Sequence, residues 1–193
     1  MAAIRDRIVS YMQSRLGLEM EEIQAIRNYS LPKYGTTLLG LKERFDIDEC
    51  EYLDYVHDIN LTAYIQKDIR LFKMLEAYPQ RKIILTNANT KHAKHVLGHL
   101  GILHFFEIIV DYHTLTPLLK PHRKAFETAM EIADLPSWTG CAFIDDRLEN
   151  VEKARELGIY SILIDESDKF EDTLKITSIM ELPKLIPLND KDK

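Results

Sequence analysis

The chain has 193 residues, 46% of them apolar and 29% charged, with 31 acidic against 25 basic side chains and a formal net charge of -6. That length suits one domain with an insert, or two small domains, and buries a real core; the acidic balance argues against a nucleic-acid backbone partner, which wants a basic face. Two cysteines far apart, Cys50 and Cys141, argue against a disulfide framework and for a reducing cytosol, no apolar run approaches membrane-spanning length, and Arg5, Asp6 and Arg7 break up the start before a signal peptide's apolar stretch forms.

Residues 1–65 read as helices. Ile4, Ile8, Tyr11, Met12 and Leu16 recur at helical spacing, and Gly17 is a stop. Glu21 to Tyr29 predicts a second helix. Pro32, Gly35 and Gly40 break the next stretch, YGTTLLGL (34–41), into a loop and a short helix. Residues 49–57 give another helical piece. From residue 66 the pattern alternates: a helix over Asp68 to Ala77, the strand KIILTN (82–87), a helix over Lys91 to Leu100 closed by Gly101, and the strand FEIIVDY (106–112). There follow a helix over Arg123 to Ala133, the strand CAFIDD (141–146), a helix over Leu148 to Leu157 ended by Gly158, and the strand YSILIDE (160–166). Strands alternating with helices imply crossover units and a doubly wound, Rossmann-like parallel sheet. The polar tail from Lys184, closing in NDKDK, is expected to fray.

In an open parallel sheet, ligands bind beyond the carboxyl ends of the strands. That rule selects Thr86 and Asn87, Asp111, Asp145 and Asp146, and Asp165, with Lys120 a loop beyond the second strand. Thr86 offers a hydroxyl and Asn87 an amide beside the start of a helix, which suits a phosphate oxygen. Lys120 precedes Pro121, so its backbone is restrained, and its ammonium would neutralise a transferring phosphoryl group. Adjacent carboxylates such as Asp145 and Asp146 resist shared ionisation unless a cation binds. Mg2+ is the natural cation, being hard and oxygen-seeking. Asn150, one helical turn on, can orient the pair. Taken singly, each feature has a plainer meaning: a helix cap at Thr86 and Asn87, a solvated loop lysine, turn chemistry at the aspartates.

In this order the residues resemble the haloacid dehalogenase superfamily of phosphohydrolases. Its second motif, an apolar strand ending in Ser or Thr, is similar to ILTN with Thr86; its third, a lysine before a helix, to LLKPHRKAF with Lys120; its fourth, an acidic pair backed by a helix, to FIDDRLENVEKARELG with Asp145 and Asp146. YGTTLLGL, YLDYVHDI (52–59) and LTNANTKHAKHVLGHLGI (85–102) are closer still to pyrimidine 5'-nucleotidase-like members. The resemblance implies an α/β core over residues 66–193, an α-helical cap over 1–65, Mg2+ held by Asp145 and Asp146, Thr86, Asn87 and Lys120 on substrate, and hydrolysis of a phosphate monoester such as a nucleoside 5'-monophosphate.

One motif is missing. The family's first, an Asp-x-Asp closing the first strand, supplies the nucleophile that forms an aspartyl-phosphate and the acid that protonates the leaving group. Here the sequence opens inside the part that resembles the cap, and Asp6 sits in a helical, charged context. The family's first strand is central, between the strands carrying the second and fourth motifs, so KIILTN and CAFIDD are expected to flank an unfilled slot. Unpaired buried backbone groups cost about 1–3 kcal/mol each, and an open apolar edge invites association. Three outcomes are open: a longer gene product, which we favour, direct closure of the two strands, or filling by another segment or subunit. The chain as given is then expected to be inactive. The alternative function is a non-catalytic binding or regulatory protein that pairs, for instance as a homodimer, through the vacant position.

Other residues carry weaker signals. His92, His95 and His99 share a helix at spacings of three and four, as a transition-metal site or an exposed polar face. His57 and His113 read as local hydrogen-bonding groups and Cys141 as a small core residue. Tyr34, Thr36 and Thr37 lie in a loop that the resemblance turns toward the substrate. A phosphorelay receiver domain uses similar ingredients, but its acidic pair comes first and its lysine last, so that reading is set aside.

Overall fold

The computed structural model describes residues 2–171 and 174–188. Four helices come first: α1 (Ala2–Leu16), α2 (Met20–Tyr34), α3 (Thr37–Lys42) and α4 (Glu49–His57). α1 and α4 are tied by the Arg7 guanidinium, which donates to the Tyr55 carbonyl at 2.8 and 3.0 Å, and by Tyr11, whose ring meets Tyr52 edge-on and whose hydroxyl donates to Glu51. α2 and α3 pack tightly because Gly40 leaves room for the Ser30 side chain; a Cβ there would overlap the Ser30 hydroxyl. Asp48 starts α4 by accepting from the N–H groups of Cys50 and Glu51.

α2 runs five residues past its expected end at Tyr29, straight through Pro32. Proline removes one backbone donor. The helix nevertheless closes a last turn by donating the Gly35 N–H to the Leu31 carbonyl, with Gly35 at φ 73.

The remaining elements alternate as expected: α5 (Ile69–Ala77), β1 (Ile83–Leu85), α6 (Thr90–Leu100), β2 (Ile108–Val110), α7 (Tyr112–Leu115), α8 (Arg123–Ile132), β3 (Ala142–Asp145), α9 (Leu148–Glu156), β4 (Tyr160–Ile164), β5 (Lys175–Ile176) and α10 (Leu182–Leu185). Three details differ from the sequence expectation. Tyr112 belongs to a short helix rather than the end of a strand, because Asp111 caps it by accepting from the Thr114 N–H. The two-residue β5 is too short to leave a sequence pattern. Residues 184–188 are packed rather than frayed: Leu185, Ile186 and Leu188 lie against a core of Met74, Tyr78, Ile162, Ile176 and Leu182, and the Tyr78 hydroxyl donates to the Ile186 carbonyl at 2.6 Å. The closing NDKDK lies outside the described residues.

All strand pairs are parallel, but they form two sheets, β1-β2 and β3-β4-β5. Among the described residues β1 and β3 do not pair, and each keeps one free edge. Burial follows this division. Ser161, Ile162 and Leu163 of the central β4 are fully buried, whereas β1 is only half-buried along its length and β3 begins exposed. Parallel strands are normally well buried, and these two are the least buried of the described strands beside their unpaired edges. Direct closure of the two strands on each other, one of the three outcomes open from sequence, does not occur among the described residues.

Helix α8 spans the gap on one face. Its Phe126, 1% exposed, meets Phe143 of β3 edge-on at 5.2 Å, and Leu85 of β1 packs on the same cluster. Phe126→Ala is expected to cost about 3–5 kcal/mol, as for other buried aromatic truncations, read from the urea unfolding curve; a loss under about 1 kcal/mol would show that this contact does not join the two sheets. Opposite the gap, Val110, Tyr112, Leu115 and Leu119 share one core with Tyr11, Met12, Ile23, Ile26 and Leu38 of the leading helices.

Candidate active site at the strand ends

The residue order in sequence becomes proximity at the carboxyl ends of β1 and β3. Asn87 lies just past β1. Its side-chain carbonyl accepts from the Lys120 N–H at 3.1 Å, and its amide donates to the Lys120 carbonyl at 2.8 Å. The Lys120 backbone is therefore clamped on both sides, and Asn87 acts by positioning it. From that clamp the Lys120 side chain, 8% exposed, reaches across to β3 and donates to Asp145 Oδ2 at 2.6 Å. Its ammonium also lies 5.3 Å from the Phe143 ring centroid, over the aromatic face.

Asp145 is fully engaged. Its Oδ1 accepts from the Arg147 N–H and from Asn150 Nδ2, each at 2.9 Å. The first bond starts α9, and the second shows Asn150 orienting the carboxylate, as its spacing suggests. Asn150 is 2% exposed and its own Oδ1 is buried without a hydrogen-bond partner. Asp146 is different. Crowding by surrounding protein atoms pushes its carboxyl above the usual range, the adjacent Asp145 adds to this, and Lys120 and Arg147 offset only part. A carboxylate so placed lacks a sufficient counter-charge.

Thr86 joins the rim through its neighbour rather than by direct contact. Its hydroxyl accepts from the Ala88 N–H at 3.0 Å, and Asn89 caps α6 by accepting from the His92 N–H. The two other strand-end aspartates are structural. In Asp111, burial opposes ionisation, but bonds from Thr114 and Thr90 outweigh it and hold the carboxyl below the usual range. Asp165 closes a turn by accepting from the Phe170 N–H, which lowers its pKa.

Gly35 and Arg147 were not foreseen. The Gly35 carbonyl accepts from Asn87 Nδ2 at 3.3 Å and from Arg147 Nη1 at 3.4 Å, so the α2–α3 loop is sewn to both halves of the rim. The resemblance had pointed to Tyr34, Thr36 and Thr37 in this loop. Tyr34 instead donates its hydroxyl to Glu43, and Thr37 is buried. The one available signal was a glycine closing a helix, which says nothing about its distant neighbours.

The three histidines of α6 do not converge. His92 is buried rather than on an exposed face, and His99 Nε2 lies 3.1 Å from the Ile65 carbonyl. His113 of α7 lies 3.2 Å from Glu49 of α4, a contact between distant segments rather than a local one. Among the described residues no three His, Cys, Asp or Glu side chains are placed to hold a metal ion. For a hard cation the chain supplies the two aspartates. The undercompensated Asp146 fits that use, while Asp145 must share its oxygens with Lys120, Arg147 and Asn150. Among the described residues no helix is long and apolar enough to cross a membrane.

A Rossmann-like α/β fold whose candidate site gathers at the carboxyl ends of parallel strands is the class defined by these observations. A sequence profile described as a haloacid dehalogenase-like hydrolase matches residues 9–158, and the chain belongs to that family. It is 26% identical over 174 residues to Phosphate metabolism protein 8 of Saccharomyces cerevisiae; the match takes in 83% of this chain and 54% of that protein, so the chain spans about half the length of this curated relative. Solved structures share the fold at lower identity. A HAD phosphatase from Thermococcus onnurineus superposes with a TM-score of 0.63 at 16% identity, covering 94% of this chain and 87% of its own. The HAD-hydrolase YfnB from Bacillus subtilis, bound to magnesium, gives 0.62 at 15% identity, covering 96% and 92%. L-2-haloacid dehalogenase from Xanthobacter autotrophicus gives 0.60 at 12% identity, covering 95% and 84%.

Proposed function

We propose that the chain carries the phosphate- and cation-holding side of a Mg2+-dependent phosphohydrolase site, acting on a phosphate monoester such as a nucleoside 5'-monophosphate in the cytosol. The observation that supports this most is the buried Lys120 beside Asp145 and the undercompensated Asp146, set at the ends of two strands whose facing edges are free. Lys120 and Thr86 would take the phosphate, with Asn87 fixing the Lys120 backbone. Residues 1–65 act as the cap and reach the rim through Gly35.

Mg2+, when bound, supplies charge neutralisation for the phosphoryl oxygens. Asp146 would hold it, with Asp145 oriented behind by Asn150. Lys120 adds a fixed positive charge in a site from which water is largely excluded, where such charges act most strongly. In this reading the nucleophile would come from a further strand set between β1 and β3.

The test is an assay with nucleoside monophosphates and Mg2+ on the chain as given and on one extended at its N-terminus by an apolar strand ending in Asp-x-Asp. Activity only in the second is expected, abolished by chelation and by Asp146→Asn. Inactivity of both sinks the reading.

The free edges also favour a second reading, in which the chain is a non-catalytic binding or regulatory protein that pairs with another copy through them. Sizing in solution separates the two: a dimer broken by a proline placed in β1 supports pairing, and a monomer across the micromolar range removes it.

A further inference from the structure

Between the C-terminal end of α4 and the first turn of α6, two imidazole rings lie face to face. The centroids of His57 and His92 are 4.1 Å apart and their planes differ by 14°. Nδ1 of each ring is buried and has no hydrogen-bond partner among the described residues, and His92 is 9% exposed. The stack borders a cavity of about 390 Å3 whose other lining groups include Asp54, Asp58, Asn89, Lys91 and His95.

The nearby carboxylates are already engaged by other cations. Asp54, on the same helix as His57, pairs with Lys91 of α6 at 2.7 Å, and Asp58 pairs with Arg7 of α1 at 3.6 Å. His95, also on α6, adds a second basic ring on the α6 side. A proton added to the stack would therefore create a cation in a poorly hydrated position, where the pulls of Asp54 and the Leu53 carbonyl on His57 are weaker than the cost of burial. A proton on each ring would set two cations about one ring-stacking distance apart. The arrangement holds only while both rings are neutral.

We propose that the His57–His92 stack is an acid-released latch between α4 and α6. Its position gives release a consequence. α6 starts at Asn89 and Thr90, immediately after Thr86 and Asn87, so loosening its first turn loosens the strand-end turn that clamps Lys120.

The pH window follows from the ring environments. Burial, then His92, push the His57 pKa down to about 4, against weaker opposing pulls from Asp54 and the Leu53 carbonyl. Burial, then His95, lower that of His92. An unfolded histidine takes up its proton near pH 6.5. The latch therefore contributes fully above about pH 6.5, weakens progressively as pH falls, and has lost its pH-dependent part by about pH 4.

Ring C2–H titration by NMR on the intact chain is the first measurement. His57 is expected to titrate near 4, and His92 below the ordinary histidine range. The second is amide hydrogen exchange, corrected for the intrinsic rate. Local opening of α4 and the first turn of α6 should rise by about tenfold per pH unit for each proton taken up, and His57→Phe, which keeps a ring but cannot titrate, should flatten that slope. Three results overturn the latch: both rings titrating near 6.5, an unchanged slope in His57→Phe, or acceleration that spreads equally into β4. If the variant does not fold, the ring titration of the unmodified chain decides.

Discussion

Replacing Gly35 by alanine is expected to lower the unfolding free energy by about 3 kcal/mol and to disturb the candidate site from a distance. Two costs combine. Gly35 sits at φ 73, where a side chain costs roughly 1–2 kcal/mol. An added Cβ would also lie far inside contact distance of the Lys120 carbonyl and 2.9 Å from Asn87 Nδ2. Overpacking of this kind typically adds about 1–3 kcal/mol, because backbone must move. Gly17 is the control. Its φ is 66, and nothing lies within 4 Å of where its Cβ would stand, so Gly17→Ala should show the conformational cost alone. Urea unfolding of both variants checks this. Equal losses would mean that the α2–α3 loop does not press on the Lys120 backbone.

The second large effect concerns the ion pair. Asp145→Asn keeps an oxygen for the Arg147 N–H and for Asn150 but leaves Lys120, 6% exposed, without its counter-charge. Breaking one side of a buried pair typically costs about 3–5 kcal/mol. Replacing both, as Lys120→Met with Asp145→Asn, removes the stranded charge and should recover most of that loss. The double-mutant cycle thus separates the pair itself from the cost of an orphaned lysine. A double variant no more stable than Asp145→Asn alone would show that Lys120 finds another way to stay solvated. This pair also bears on function. A lysine already neutralised by Asp145 must share its charge with any anion that arrives, so the proposed phosphate site is tuned by Asp145 as well as by a cation.

Much of the fold was legible because it rests on local chemistry. Apolar runs such as IIL and IIV, closed by Thr86 and Asp111, mark short parallel strands; Gly101 and Asp48 mark helix ends by conformational and capping preference. That KIILTN and CAFIDD would not simply neighbour each other was an expectation of the family resemblance alone, which sets a strand between them; in the structure they lie in separate sheets. Less legible were contacts that depend on two distant segments meeting. Asn87 reads as a ligand group from its place after a strand, yet both ends of its amide are taken by the Lys120 backbone. His92 reads as one member of an exposed row, and becomes buried only because α4 brings His57 against it.

The sequence by itself determined the class of fold and the identity of the strand-end residues, because periodicity and end chemistry act over a few residues. Only the tertiary structure decided which of the strand-end residues touch. It joined Lys120 to Asp145, turned Asp111 and Asp165 into helix and turn anchors, and brought the Gly35 backbone to the rim. The reason is physical: a hydrogen bond or ion pair between segments far apart in the chain is fixed by how helices and sheets pack, and packing is a property of the whole core.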